Sequence, residues 1–314
     1  MRYLVLGGTG FIGSHLVDEL AASGKSVRVF SRGLMTQAGW PGRAKAELYT
    51  GDFCDAGSVE RAVRGCETIF HLMSTTLPKS SNEDPRYDLE TNVGSTLQLL
   101  ESARRNGVRR IVFVSSGGTV YGRPRTLPIP ETHPTDPICA HGIAKLAVEK
   151  YLDLFRVLHG LDYCVLRVSN AYGARQRTEK AHGAVAVFLS RALRGEAIEI
   201  WGDGSAARDY VHVDDVVRAL LAAAAGCPGE SRIFNIGTGR GTTVNGLIAV
   251  IEEACGRKVQ KIYREGRPFD VQENVLDIAM ARTHLGWRPE VALPDGVRKT
   301  LEWAAGRPGY PPVS

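Results

Sequence analysis

The chain has 314 residues, 43% of them hydrophobic and 23% charged, with a formal net charge of +5. That balance suits a globular protein of one large domain or two unequal lobes. It excludes a membrane-spanning helix, which needs an apolar run of roughly 20 residues, and a nucleic-acid surface, because the arginines are dispersed instead of gathered into a basic stripe. The first predicted element is the strand Tyr3–Leu6, which ends at glycines and reads as a buried strand, not a signal peptide. His15–Ala22 follows with apolar residues at helical spacing, then strands at Val27–Phe30 and Thr68–His71. Asp88–Asn106 has helix length and period, Ile111–Val114 is a buried strand, and Ile143–Leu158 is a second long helix. Gly107 and Gly160 stand where helix stops are expected, and Tyr163–Val168 is again strand-like. Alternation of this kind predicts a parallel sheet covered on both faces.

Beyond residue 169 the texture changes to short motifs separated by helices near 183–194, 214–225 and 244–255. We expect residues 1–169 and a returning segment, 209–240, to form one lobe, with 170–208 and 241–314 forming a smaller one. The tail GRPGYPPVS is expected to be mobile. Six cysteines (54, 66, 139, 164, 227 and 255) carry no C-x-x-C pair, which argues for reduced thiols in a cytoplasmic protein and against a zinc site.

Gly7-Gly8-Thr9-Gly10-Phe11-Ile12-Gly13 lies between the first strand and the first helix. Glycines there allow a tight turn and close backbone approach, while the helix start offers free N–H groups to a pyrophosphate. The acidic residue that binds the ribose hydroxyls of NAD, about 20 residues on, is missing. The second strand instead ends in Ser31 and Arg32, so NADP stays open beside NAD. His71 ends a strand on the cofactor side, with packing as its equal alternative.

The motifs GGTGFIG, ETNVGST around Asn92, SSGGTVYG, the helix carrying Lys145, RVSNAYGARQR, GDGSAARDYVHVDDV, FNIGTG and RPFDVQENVLD occur in this order over nearly the whole chain. Together they resemble nucleotide-sugar epimerases of the extended short-chain dehydrogenase family. The resemblance implies an α/β fold, a Rossmann-type doubly wound parallel sheet with a smaller α/β lobe that binds the nucleotide sugar. It implies a homodimer packed through the helices near 88–106 and 141–158, and a UDP-hexose as substrate. It implies NAD held by Gly7, Gly10, Phe11, Ile12, Gly13, Ser31, Arg32, Asp52, Phe53, Leu72, Asn92 and Lys145. Epimerisation, in this family, proceeds at C4 through a transient 4-keto sugar.

The resemblance breaks at the reacting groups. The tyrosine four residues before the lysine is replaced by His141, and the Ser or Thr position three before Val120 is Gly117. An imidazole has a near-neutral intrinsic pKa, and adjacent Lys145 disfavours its protonation, so His141 is expected to act as a base of shorter reach. Ser116 or Thr119 is expected to supply the hydroxyl, and Ala140 removes a further polar group. Asn170, Arg208 and Arg267 match residues that clamp the diphosphate, a task suited to fixed guanidinium charges. Arg175 and Arg177 are weaker candidates. Asn274 falls where related epimerases use residue bulk to admit or exclude N-acetyl sugars. Asp214 and Asp215 read as a helix start, not as metal ligands. A dehydratase is disfavoured by Gly118-Thr119 in place of an acidic pair, and a reductase stays open if Arg32 selects NADPH. A further alternative is a binding protein with little turnover.

Overall fold

The computed structural model describes residues 2–33, 40–76, 78–176, 183–227, 229–266 and 271–305. Arg177, Arg267 and the tail from residue 306 lie outside the described residues. The strands of the first half are β1 (Arg2–Leu6), β2 (Ser26–Ser31), β3 (Glu47–Thr50), β4 (Thr68–His71), β5 (Arg110–Ser116) and β6 (Asp162–Val168). Those of the second are β7 (Asn170–Tyr172), β8 (Ile198–Trp201), β9 (Ala207–His212), β10 (Ile233–Ile236), β11 (Gly241–Thr243), β12 (Lys261–Arg264) and β13 (Glu273–Asn274).

Seven strands form one parallel sheet in the order β10-β6-β5-β4-β1-β2-β3. The order reverses at β1, where the loops after β1 and β4 diverge and leave a crevice, the place at which open parallel sheets bind ligands. Strand alternation sends Val5 and Val112 to one face and Leu4, Leu6, Ile111 and Phe113 to the other, each beneath its own apolar cluster. The first face is covered by α1 (Phe11–Ala22), and the second by α2 (Ala56–Val63), which sequence periodicity did not reveal.

The predicted helix over 88–106 is a composite. After the short α3 (Pro78–Glu83) and α4 (Pro85–Asp88), a π-helical stretch, Leu89–Gly94, leads into α5 (Ser95–Arg105). A π turn inserts an extra residue per turn and is common at functional sites; here it carries Asn92. Next, α6 (Ala140–His159) ends at Gly160 with φ 69°, and Gly107 after α5 has φ 67°, left-handed conformations that glycine adopts without strain.

The second half adds α7 (Ala184–Arg194), α8 (Val213–Ala225), α9 (Val244–Cys255), α10 (Ala279–Leu285) and α11 (Leu293–Ala305). Helix α8 and strand β10 return to the large sheet, whereas β9, inside the span expected to return with them, pairs with β7, β11 and β13 in a small sheet. Residues from α7, α9 and α11 close a separate apolar cluster around Leu189, Leu247, Ile251 and Leu301. Asp214 and Asp215 do open a helix: Asp215 is fully buried and accepts the N–H groups of Glu290 and Val291, both at 3.1 Å. Among the described residues no cluster of His, Cys, Asp or Glu could hold a metal, and no helix is long and apolar enough to cross a membrane.

Candidate active site

The turn between β1 and α1 is built from backbone. Gly7 has φ +80°, and the Gly10 N–H closes the turn on the Gly7 carbonyl at 2.9 Å. A Cβ on Gly13 would run into the Gly7 carbonyl and the Gly8 Cα, so strand and helix approach as only glycine allows. Helix α1 has neither a side-chain cap nor an acidic residue in its first turn. The backbone N–H groups around Phe11 and Ile12 thus remain for an anion, and this donor set fits a dinucleotide pyrophosphate. At the end of β2, the Ser31 hydroxyl donates to the Gly33 carbonyl at 2.7 Å and accepts from Thr9 Oγ1 at 2.9 Å, while Arg32 is exposed. Asp52 is exposed and accepts from the Cys54 N–H at 2.9 Å. The ring of Phe53 is buried against His71, which leaves only its backbone for contact with a ligand. Leu72 is half-buried and its N–H extends the β1 ladder to the Leu6 carbonyl at 3.1 Å.

At the ends of β4 and β5 a cleft of about 250 Å³ has His71, Asn92, Thr96, Phe113, His141 and Lys145 among its walls. Lys145 Nζ donates to the Val114 carbonyl at 2.9 Å and lies 4.7 Å from the centre of the Phe113 ring. Burial lowers this ammonium to about 8, against the opposing pull of Asp88 and Glu149. His141 sits on the first turn of α6, whose N-cap Cys139 makes no side-chain cap. Two residues of α3 supply one from outside: Asn82 Oδ1 accepts the Ala140 N–H at 2.9 Å and Ser81 Oγ accepts the His141 N–H at 3.1 Å.

Asn92 is held from every side. Its Oδ1 accepts the Thr75 N–H at 3.0 Å, and its Nδ2 donates to the carbonyl and carboxylate of Asp88 at 3.1 and 3.0 Å. His71 forms the floor, 2% exposed, with Nε2 2.9 Å from Thr96 Oγ1 and Nδ1 without a partner among the described residues. Burial, then the charge of Lys145, pushes this imidazole down to about 3, so it is neutral at physiological pH.

The two hydroxyl candidates are not among the walls of that cleft. Ser116 ends β5, and Thr119 lies in the following turn with its Oγ1 buried and unpartnered among the described residues. Gly117 has a steric reason for lacking a side chain: a Cβ there would lie 2.5 Å from Leu276 Cδ1. Leu276 fills the space that a serine or threonine would need.

The small sheet brings Asn170, Arg208 and Asn274 together, since β7 and β13 both pair with β9 and Asn274 stands opposite Arg208. Asn170 Nδ2 donates to the Asp209 carbonyl at 3.2 Å, and Arg208 Nη1 donates to the Ala207 carbonyl at 2.8 Å. Asn274 is 2% exposed; its Nδ2 donates to the Gly117 carbonyl at 3.2 Å and its Oδ1 is buried without a partner among the described residues. It therefore braces the hydroxyl turn from behind. Arg175 forms an ion pair with Asp18 of α1 at 2.5 Å.

Sequence reasoning passed over Thr96, Asp88, Ser81, Asn82, Glu149 and Arg167. A detectable signal existed for one of them: Arg167 interrupts the apolar strand Val165-Leu166-Arg167-Val168, where a charge needs a partner. The others are polar residues on helices, indistinguishable from a solvated face until the chain is folded.

Comparison with known proteins agrees with this geometry. Residues 3–237 match the model of the NAD dependent epimerase/dehydratase family. The chain is 40% identical to a UDP-glucose 4-epimerase of Mycolicibacterium smegmatis, over 96% of this chain and 98% of that protein. Among solved structures it resembles UDP-glucose 4-epimerase of Thermotoga maritima with UDP-glucose, with a TM-score of 0.91, 41% identity, and 97% and 98% of the two chains covered. It also resembles UDP-glucose 4-epimerase of Thermus thermophilus in complex with NAD, with a TM-score of 0.88, 35% identity, and 98% and 99% covered.

Proposed function

Because the chain belongs to the NAD dependent epimerase/dehydratase family, we propose that it is a UDP-hexose 4-epimerase that works through a transient 4-keto sugar, with His141 in the role of base. The observation that carries this reading is the single cleft in which His141, Lys145, Asn92 and His71 meet, at the crevice of the parallel sheet. NAD, when bound, supplies a reversible two-electron acceptor. The Gly7–Gly13 turn fits its pyrophosphate, and Lys145 is the donor placed to hold the ribose next to the nicotinamide.

In this mechanism the imidazole of His141 removes the proton of the sugar 4-hydroxyl and returns it after the ketone has turned over. His71 stays neutral beneath His141 and Lys145 and adds no competing charge. Arg208, Asn170 and, outside the described residues, Arg267 would bind the UDP diphosphate and keep the hexose tethered during the turn. Free rotation of the keto sugar requires that the nucleotide, not the hexose, be gripped.

Incubation with UDP-glucose and with UDP-N-acetylglucosamine, read by chromatography for the 4-epimer, tests the reading. We expect turnover, with His141→Tyr faster by tenfold or more because a phenol reaches farther. Absence of any 4-epimer from both proteins, with NAD bound, would discard the substrate assignment. A second reading, cofactor and nucleotide-sugar binding with little chemistry, is favoured by Leu276 filling the hydroxyl position beside Gly117. An inert parent and an active His141→Tyr variant would select it.

We also propose a homodimer through α6 and the π-helical segment. Ile143, Leu154, Val157 and Leu158 of α6 are exposed, as are Tyr87 of α4 and Leu89 at the start of the π-helical stretch. Apolar side chains clustered on a helical surface mark an interaction site. The six unpaired cysteines suit a reducing cytoplasmic compartment.

A further inference from the structure

Immediately behind the cleft lies a buried ion pair that no step of the proposed reaction uses. The side chains of Glu149 and Arg167 are 1% and 4% exposed, and Arg167 donates from Nη2 at 2.6 Å and from Nε at 3.1 and 3.3 Å to the carboxylate. Removing two charges from water is expensive, and such pairs are weak contributors to stability by themselves. This one is the centre of a chain of hydrogen bonds. Ser115 Oγ donates to Glu149 Oε1 at 2.5 Å, Arg167 Nη1 donates to the Tyr121 hydroxyl at 2.9 Å, and Tyr121 donates to Asn235 Oδ1 at 2.7 Å.

The connectivity is informative. Val114 and Ser115 are consecutive in β5; the carbonyl of the first holds Lys145 and the hydroxyl of the second holds Glu149, one helical turn further along α6. Helix and strand are thus locked in register at two successive turns. The other end of the chain, Tyr121, closes the turn that begins at Ser116.

We propose that Glu149 and Arg167 are positioning residues for the reaction, fixing Lys145 and the Ser116–Tyr121 turn against the cleft. The proposal rests on the reading of Lys145 as the residue that holds the cofactor ribose. Glu149 also acts through charge. The groups facing Lys145 are Asp88 from α4, Glu149 and His141 from its own helix, and His71 from β4, and of these Asp88 and Glu149 keep its ammonium from falling further.

The test uses the full chain with Glu149→Gln and Ser115→Ala. Carbon-13 NMR of the lysine Cε signals gives the Lys145 titration midpoint without cofactor, and calorimetry gives NAD affinity between pH 6 and 9.5. Glu149→Gln should move the midpoint down by about half a unit or more and weaken NAD at pH 8 by about threefold or more. Ser115→Ala leaves the ion pair whole and removes only its link to β5; it should weaken NAD by about threefold with the midpoint unmoved. A midpoint and an affinity both unchanged in folded Glu149→Gln would overturn the proposal. Where Glu149→Gln does not fold, unchanged NAD affinity in Ser115→Ala overturns it. Neither measurement needs sugar turnover, so a wrong substrate assignment would leave this result readable.

Discussion

The two halves of the crevice are made in different ways. The Gly7–Gly13 turn is constructed from backbone: a positive φ at Gly7, excluded Cβ positions at Gly8 and Gly13, and an uncapped helix start. The half formed by the Ser115–Gly122 turn and the start of α6 depends on side chains, His141 and Lys145 among them. A backbone site permits only glycine, so it persists with its geometry. A side-chain site can exchange its reacting group while the fold beneath it is retained, and the chemistry then depends on whichever neighbours supply the reach and the charge.

The largest effect is expected on the backbone side. Gly13→Ala would force the new methyl against the Gly7 carbonyl and the Gly8 Cα, where no flexible side chain can yield. We expect a loss of about 3 kcal/mol of stability, the upper range for overpacking, and NAD affinity lowered by at least a hundredfold, by chemical denaturation and calorimetry. A variant that kept NAD affinity would break the comparison, because close backbone approach would then be dispensable.

On the side-chain side the expected signature is pH dependence. His71 is buried neutral, with burial first and then the charge of Lys145 lowering its pKa from 6.5 to about 3. The unfolded chain binds a proton in that interval and the folded chain does not, so this contribution to stability is complete above pH 6.5 and is lost as pH falls towards 3. The slope is about 1.4 kcal/mol per pH unit, or about 2 kcal/mol between pH 6.5 and 5. Denaturation curves of the parent and of His71→Asn should diverge in slope over that window. Equal slopes would show that solvent reaches the imidazole and that the cleft floor is open.

How far these features were legible in advance follows the same division. The glycine turn, strands β1, β2, β4, β5 and β6, and the stops at Gly107 and Gly160 are local, fixed by period and conformation, and were read to within a residue or two. Helix α2 was missed because Ala56–Val63 is short, and strand β3 because Glu47–Thr50 lies at the sheet edge, partly exposed and without an apolar run. The π turn was invisible, since Leu89–Gly94 keeps a helical period on either side. Asn274, which falls where related epimerases use residue bulk at the sugar, also donates to the Gly117 carbonyl, a contact 157 residues apart in sequence that no local pattern encodes. The outside cap from Ser81 and Asn82 escaped notice for the same reason.

That cap sharpens the comparison at a smaller scale. Ser81→Ala and Asn82→Ala each remove an acceptor for one of the first amides of α6, and each should lower stability by about 1 kcal/mol, as loss of a helix cap does. If His141 is the base, its backbone anchor matters to rate as well. Ser81→Ala should then lower kcat more than it raises KM, whereas equal changes in both proteins' kcat and KM would assign the pair a purely structural part.

The smallest effect is the most discriminating for the hydroxyl. Thr119 Oγ1 is buried without a hydrogen-bond partner among the described residues, and an unsatisfied buried hydroxyl is a cost that an isosteric methyl removes. Thr119→Val should leave the ligand-free protein as stable as the parent or more stable by up to about 1 kcal/mol. Should turnover of a UDP-hexose fall tenfold in the same variant, the orphaned hydroxyl is a donor held in reserve for the sugar. Unchanged turnover would transfer that role to Ser116, which ends β5 half-buried at the start of the same turn, and Ser116→Ala would then carry the loss.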